Sequence, residues 1–325
     1  MRHHPLLATT AAAGLLAAAC GGDGALSGGS GNGTPVVAVT TTILGDVVDE
    51  LVGDLAEVVV IMPVNANPHE FQPSARQAAA LRSADLVVAN GGGFEEGLDD
   101  TLRSAEDDGV RVFEAVEHAA LLARDGGEPG AGDDHDDDDG DNDRGHEGAD
   151  PHVFTDPARM ATVADALAGA LAEQVPALDT EAFRARAAAY VDELRALDAE
   201  VEGILAPIPT ERRKLVTNHD VFTYFADRYD FEVVGAVIPS TTTQAAASAA
   251  QIDALARLVE AEGVPAVFAD TSSPDDLAET LAAEVGDVAV VELFSESLGA
   301  ESSGADSYAG MVRSNATRIA EALAP

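Results

Sequence analysis

The sequence predicts an α/β fold of two lobes, each built on a parallel sheet, joined by a single long helix. Three observations lead there. Short β-branched runs alternate with amphipathic stretches of helix length, the pattern of βαβ crossovers. The alternation occurs twice, once in each half of the chain. Between the two sets lies Thr180 to Leu205, rich in Ala, Leu, Glu and Arg, without Gly or Pro until Gly203 and stopped by Pro207 and Pro209. At ~1.5 Å rise per residue such a helix spans close to 40 Å, more than one lobe needs, so it reads as an element that connects and braces two.

In the first set, Val36 to Thr40 is a strand and Ile43 to Val52 an amphipathic helix. Val58 to Met62 is the next strand, followed by a loop from Pro63 to Pro73. Ser74 with Gln77 makes a capping box that starts a helix through Arg82. Leu86 to Ala89 is a buried strand ending in Asn90-Gly91-Gly92-Gly93, Phe94 to Ser104 a helix, and Val110 to Phe113 the closing strand. In the second set, Lys214 to Thr217, Glu232 to Ile238, Pro265 to Ala269 and Val288 to Leu293 are strands. Helices at Val221 to Arg228, Ser248 to Glu262, Pro274 to Val285 and Asp306 to Ala324 lie between or after them, and Ser248 with Gln251 forms a second capping box. Ligands of such sheets bind beyond the carboxyl ends of the strands, here in a shared crevice.

The amino terminus sets the compartment. Arg2, His3 and His4 precede an apolar stretch from Leu6 to Ala18, which ends at Ala-Ala-Ala-Cys20-Gly-Gly. This is a secretory signal, shorter than the ~20 residues a spanning helix requires, and His3 and His4 leave with it. Cys20 is the only cysteine, which excludes an intrachain disulfide and a thiolate metal cage. Its place after a small-residue cleavage site resembles a bacterial lipobox, with Ala17 where leucine is usual, and marks Cys20 for lipidation. The expected organisation is a signal over 1–20, a flexible tether over 21–34, an N-terminal lobe over 35–177, a connecting helix over 178–207 and a C-terminal lobe over 208–325.

A net charge of −40, from 58 acidic and 18 basic residues, excludes nucleic acid and an anionic membrane face as partners and favours cations. Part of the acid is concentrated at 125–149, where Asp133 to Asp139 is interrupted only by His135, and His146 follows among glycines. Such a segment buries too little apolar surface to offset its ordering entropy and reads as a disordered insertion within the first lobe. It is either a weak metal-gathering loop, through His135 and His146, or a solvated charge run.

Three histidines sit in Pro- or Asx-flanked turns: Asn67-Pro68-His69-Glu70-Phe71, Asp150-Pro151-His152-Val153-Phe154 and Thr217-Asn218-His219-Asp220. Leu293-Phe294-Ser295-Glu296-Ser297 follows a strand in the same manner. If the fold gathers His69, His152, His219 and Glu296 into one cleft, imidazole nitrogens and a carboxylate suit a divalent transition metal such as zinc. Taken singly, a loop histidine is more often a surface group, and Glu296 could be an acid at a helix N-terminus. Glu70 and Asp220, beside two of the histidines, and Asp270, after a strand, are candidates for outer contacts to such a site. His118, at the end of an expected helix, is structural.

These motifs, with Phe71-Gln72-Pro73, Thr155-Asp156-Pro157 and Val221-Phe222-Thr223-Tyr224-Phe225 around them, resemble the substrate-binding lipoproteins of bacterial ABC importers for zinc and manganese. The resemblance covers nearly all of residues 35–325 and implies two Rossmann-like lobes on one rigid helix. It also implies His69, His152, His219 and Glu296 as metal ligands, Glu296 standing where the family usually has aspartate. A lipid-anchored extracytoplasmic receptor follows, monomeric, binding Zn2+ (alternatively Mn2+) and delivering it to a membrane permease. Two readings of other classes compete. One is a zinc hydrolase with Glu296 as general base, against which stands the absence of an HExxH-type or nucleophile motif. The other is a surface adhesin stabilised by its metal.

Overall fold

The computed structural model describes residues 33–122, 150–243, 248–272, 276–286 and 288–325. Cys20, the tether as far as residue 32 and the acidic insertion with His135 and His146 lie outside them.

The first half contains β1 (Val36–Val39), α1 (Thr42–Val52), β2 (Glu57–Val60), α2 (Ala75–Ser83), β3 (Leu86–Ala89), α3 (Asp99–Asp107) and β4 (Val112–Glu114). Its strands form a parallel sheet in the order β2-β1-β3-β4. After α4 (Pro157–Gln174) and α5 (Glu181–Leu205) come β5 (Lys214–His219), α6 (Thr223–Tyr229), β6 (Glu232–Ile238), α7 (Ala249–Glu262), β7 (Ala266–Asp270), α8 (Asp276–Val285), β8 (Ala289–Leu293) and α9 (Tyr308–Leu323). The second sheet, also parallel, runs β6-β5-β7-β8. The two sheets thus share one strand order, with the chain's first strand of each half inside the sheet.

The expected elements are present, several with ends shifted by one or two residues, and three differences bear on the site. The helix expected from Phe94 starts later. Gly91, Gly92 and Gly93 all adopt positive φ, a 3₁₀ turn follows at Glu96–Leu98, and α3 begins only at Asp99. Glu95 holds this turn, its carboxylate accepting from Asn90 N (2.6 Å), Gly91 N (3.0 Å) and Thr40 Oγ1 (2.6 Å). β5 runs two residues further than expected and ends on His219 itself. Helix α4 was not expected: Asp156 caps it by accepting from Ala158 N (2.8 Å) and Arg159 N (3.2 Å), and Pro157 occupies its first turn. That start signal lay inside the Asp156-Pro157 end of a ligand motif.

Helix α5 is the 25-residue brace the sequence predicts. Thr180 caps it, and Phe183, Ala187, Tyr190, Val191, Leu194, Leu197, Val201 and Leu205 bury one stripe at helical spacing. That stripe meets α1, α4 and α9, within a single apolar cluster that also holds Val37 and Val39 of β1, Leu215 of β5 and Phe268 of β7. Both sheets are therefore anchored to one spine. On the same helix, buried Asp198 accepts from Arg228 Nε (2.8 Å) and Tyr229 Oη (3.0 Å), fastening α6 to the spine.

Candidate metal centre

Each of the four sequence-predicted donors is set by a different local device. His69 lies in the loop after β2, where the Asn67 side chain accepts from His69 N (3.0 Å), an Asx turn. Gly97 lets the neighbouring 3₁₀ turn lie against this loop, since a Cβ there would stand 2.1 Å from Phe71 O. His152 repeats the device with Asp150, whose Oδ1 accepts from both His152 N (2.9 Å) and ring Nδ1 (2.7 Å). Nδ1 is thereby engaged as a donor and Nε2 is left to face the site. His219 closes β5, an inner strand, with Thr217 Oγ1 donating to its carbonyl (2.7 Å). Glu296 follows β8 in a loop held by Asn315 of α9, which accepts from Phe294 N (2.9 Å) and donates to Phe294 O (2.7 Å). The next residue, Ser297, accepts from Asn65 N (2.8 Å) of the first half, so the Glu296 and His69 loops are tied together.

The fold brings all four to one point. Glu296 Oε1 lies 2.7 Å from His69 Nε2, 2.9 Å from His219 Nε2 and 3.5 Å from His152 Nε2. The four side chains are buried, and their donor atoms lie within 4.8 Å of one another, the group of metal-binding geometry among the described residues. Bonds of ~2.0–2.1 Å in a tetrahedral zinc site place donor atoms roughly 3.3 Å apart. Closing on such an ion would draw the three imidazole nitrogens together while Glu296 Oε1 withdraws from His69 and His219. Phe94, fully buried, meets the His69 and His152 rings edge-on, at 5.3 and 5.5 Å, and forms an apolar wall on that side.

The charges respond to this packing. Burial acts to raise the Glu296 carboxyl, but the charge of His219 and hydrogen bonds from the three imidazoles outweigh it and hold the group well below the usual range. Burial likewise opposes charge on His152, yet Asp150 and Glu296 together push it up to about 9. Asp150 is lowered, its desolvation outweighed by His152. The metal-free site thus carries a proton on His152 between two carboxylates, where a cation's charge would fall.

The remaining sequence candidates are placed differently. Asp270, the last residue of β7, is buried and raised by burial and by the nearby charge of Glu296. The Ser272 hydroxyl sits against Asp270 Oδ2 and 3.2 Å from Glu296 Oε2. Asp220 is half-buried, with its N–H on Ser240 O (2.9 Å), and Glu70 is exposed while its neighbour His69 is not. His118 stacks on Phe113 at 4.4 Å, far in sequence and role from the cluster. Asp150, Phe94 and Glu95 carried no role in the sequence reading. The signal for Asp150 was there: both ligand turns read Asx-Pro-His, with the Asx side chain two residues before the ring it supports.

With this geometry in hand, known proteins fall into line with it. Residues 37–322 match the family of the zinc-uptake complex component A, periplasmic. The chain belongs to this family of metal-binding, solute-binding proteins of ABC importers, which are extracytoplasmic binding proteins and not enzymes. It is 29% identical to the zinc-binding protein TroA of Treponema pallidum over 300 residues, 90% of each chain. It is 27% identical to the manganese-binding lipoprotein MntA of Halalkalibacterium halodurans over 299 residues, 91% of each. The iron-binding protein YfeA of Yersinia pestis is 27% identical, over 88% of this chain and 85% of that one. The solved structure of the T. pallidum periplasmic zinc-binding protein superposes with a TM-score of 0.78 at 28% identity, covering 90% of this chain and all of that one. Relatives of 27–29% identity are thus named for three metals, and likeness alone does not choose among them.

Proposed function

We propose that this protein captures Zn2+ through His69, His152, His219 and Glu296 and delivers it to a membrane permease, held at the membrane by a lipid on Cys20. The observation that carries the reading is the convergence of three imidazole Nε2 atoms on one carboxylate oxygen in a buried pocket. A closed set of four protein donors leaves no position for an activated water, as binding without hydrolysis requires. Three nitrogens and one oxygen are a softer set than manganese prefers, and the Irving–Williams order places zinc above manganese on such donors. Manganese is the second reading, because a bidentate Glu296 would raise the coordination to five and bring in more oxygen.

Competition decides between them. Zinc is expected to displace manganese at equimolar concentrations, and H219E to narrow the gap. Manganese winning on the unmodified chain would overturn the zinc reading and leave the receptor role in place. Chelation is expected to leave the protein folded, since its apolar core is continuous around α5 without the ion. A metal-stabilised adhesin would instead unfold when stripped.

The acidic insertion is assigned no share in the main site. Deleting residues 125–149 is expected to leave the one-site zinc affinity nearly unchanged and to remove only additional weak uptake. Loss of the main site on deletion, measured by the same titration, would contradict this.

A further inference from the structure

The turn that presents His152 belongs to neither sheet, and its carbonyls are gripped from two sides. Asn90, at the end of β3, donates through Nδ2 to Pro151 O (2.9 Å). Asn90 is itself fixed, because its N–H is on the buried Glu95 carboxylate (2.6 Å). From the other side, Tyr224 of α6 donates through Oη to Asp150 O (2.8 Å). The same phenol oxygen takes a hydrogen bond from Leu122 N–H, and the ring packs in a cluster with Val116 and Val153. Tyr224 is fully buried, and the Arg159 guanidinium lies 4.9 Å from its ring centre while pairing with Asp156 and Asp227. Helix α6 begins four residues after His219, so the element that grips the second ligand's turn is the one that follows the third ligand.

We propose that Tyr224 and Asn90 are positioning residues of the metal site, holding the Asp150–His152 turn from opposite sides so that the His152 ring keeps its place against the other three donors. The inference rests on the metal-site reading above. The chain of action is short. Tyr224 and Asn90 fix the carbonyls of residues 150 and 151, the fixed backbone sets where the Asp150 carboxylate lies, and that carboxylate orients the imidazole through Nδ1. Groups that orient a ligand from outside the coordination sphere typically contribute about 10–100-fold to metal affinity. A buried phenol–carbonyl bond elsewhere in the fold contributes to stability alone.

The test compares the full chain with Y224F, N90A and Y229F. Tyr229 is the control: it lies on the same helix and is buried, but its hydroxyl serves Asp198 on α5 (3.0 Å). Zinc affinity is read by competition with a chromophoric chelator, and dissociation by a chelator chase. Y224F and N90A are each expected to raise the Kd about tenfold, chiefly through faster dissociation, with Y229F within about twofold of wild type. Thermal melts of the metal-free proteins are expected to fall alike for both tyrosine variants. Cobalt-loaded Y224F should show a weaker visible band than wild type as its tetrahedral geometry distorts, which lost stability alone would not produce. Should Y224F fail to fold, N90A carries the test by itself. Wild-type zinc binding in both Y224F and N90A, or equal weakening by Y229F, would overturn the inference. A wild type that binds neither zinc nor cobalt would remove the metal-site reading and this inference with it.

Discussion

Replacing His219 with alanine is expected to lower zinc affinity by more than about 100-fold, the upper end of what loss of a mere outer contact costs. His219 stands on an inner strand and cannot be replaced by movement of its backbone, whereas loops carry the other three donors. The remaining three donors would hold an ion with one position open to water. The metal-free protein should also lose about 1–3 kcal/mol, because Glu296 is buried and loses one of its charge-assisted partners at 2.9 Å. Chelator competition reads the first effect and denaturant unfolding the second. Retention of wild-type affinity in H219A would place the ion elsewhere.

The second large effect is that of pH. Zinc binds neutral imidazole, so the proton on His152 must leave as the ion enters. Reference imidazole, titrating near ~6.5, would let affinity level off above about pH 7.5. With His152 pushed up to about 9 by Asp150 and Glu296, affinity should instead keep rising, about tenfold per pH unit, until that value is reached. Going from about pH 7.5 to 5 should weaken binding by orders of magnitude as protons compete for the site. Glu296 is held low and stays ionised throughout, so it adds no slope. For the metal-free fold the sign is opposite. The folded-state value of His152 exceeds the unfolded one, so its contribution is complete below ~6.5 and is lost as pH rises toward about 9. Calorimetry in buffers of different ionisation enthalpy counts the proton released at pH 7.5. A binding curve flat from about pH 7.5 to 9 would contradict the His152–Asp150 arrangement.

Much of this architecture was legible in the residues. The β-branched runs, the two capping boxes and the unbroken stretch ending at Leu205 were sufficient for two parallel sheets and a spine, because each depends on local periodicity and capping. The four donors were legible for a similar reason: an Asx-Pro-His turn and a strand-end position are local patterns that point a side chain away from the sheet. What could not be read was set by tertiary contact. The start of α3 depends on Glu95 reaching back to Thr40 and to the Asn90 and Gly91 amides, whereas Asp150, which sets the His152 tautomer, stands only two residues from it in a local Asx-Pro-His turn. Helix α4 differs in kind, since Asp156-Pro157 is an ordinary helix start that also forms the end of a ligand motif.

The central claim is one zinc ion held by three imidazoles and one carboxylate. X-ray absorption at the metal edge, on protein purified without added metal and paired with elemental analysis, addresses it directly. The expected result is one zinc per chain, four nitrogen or oxygen neighbours at about 2.0–2.1 Å and outer-shell scattering from three imidazole rings. A six-coordinate, oxygen-rich manganese, or a zinc with fewer than three imidazoles, would contradict it.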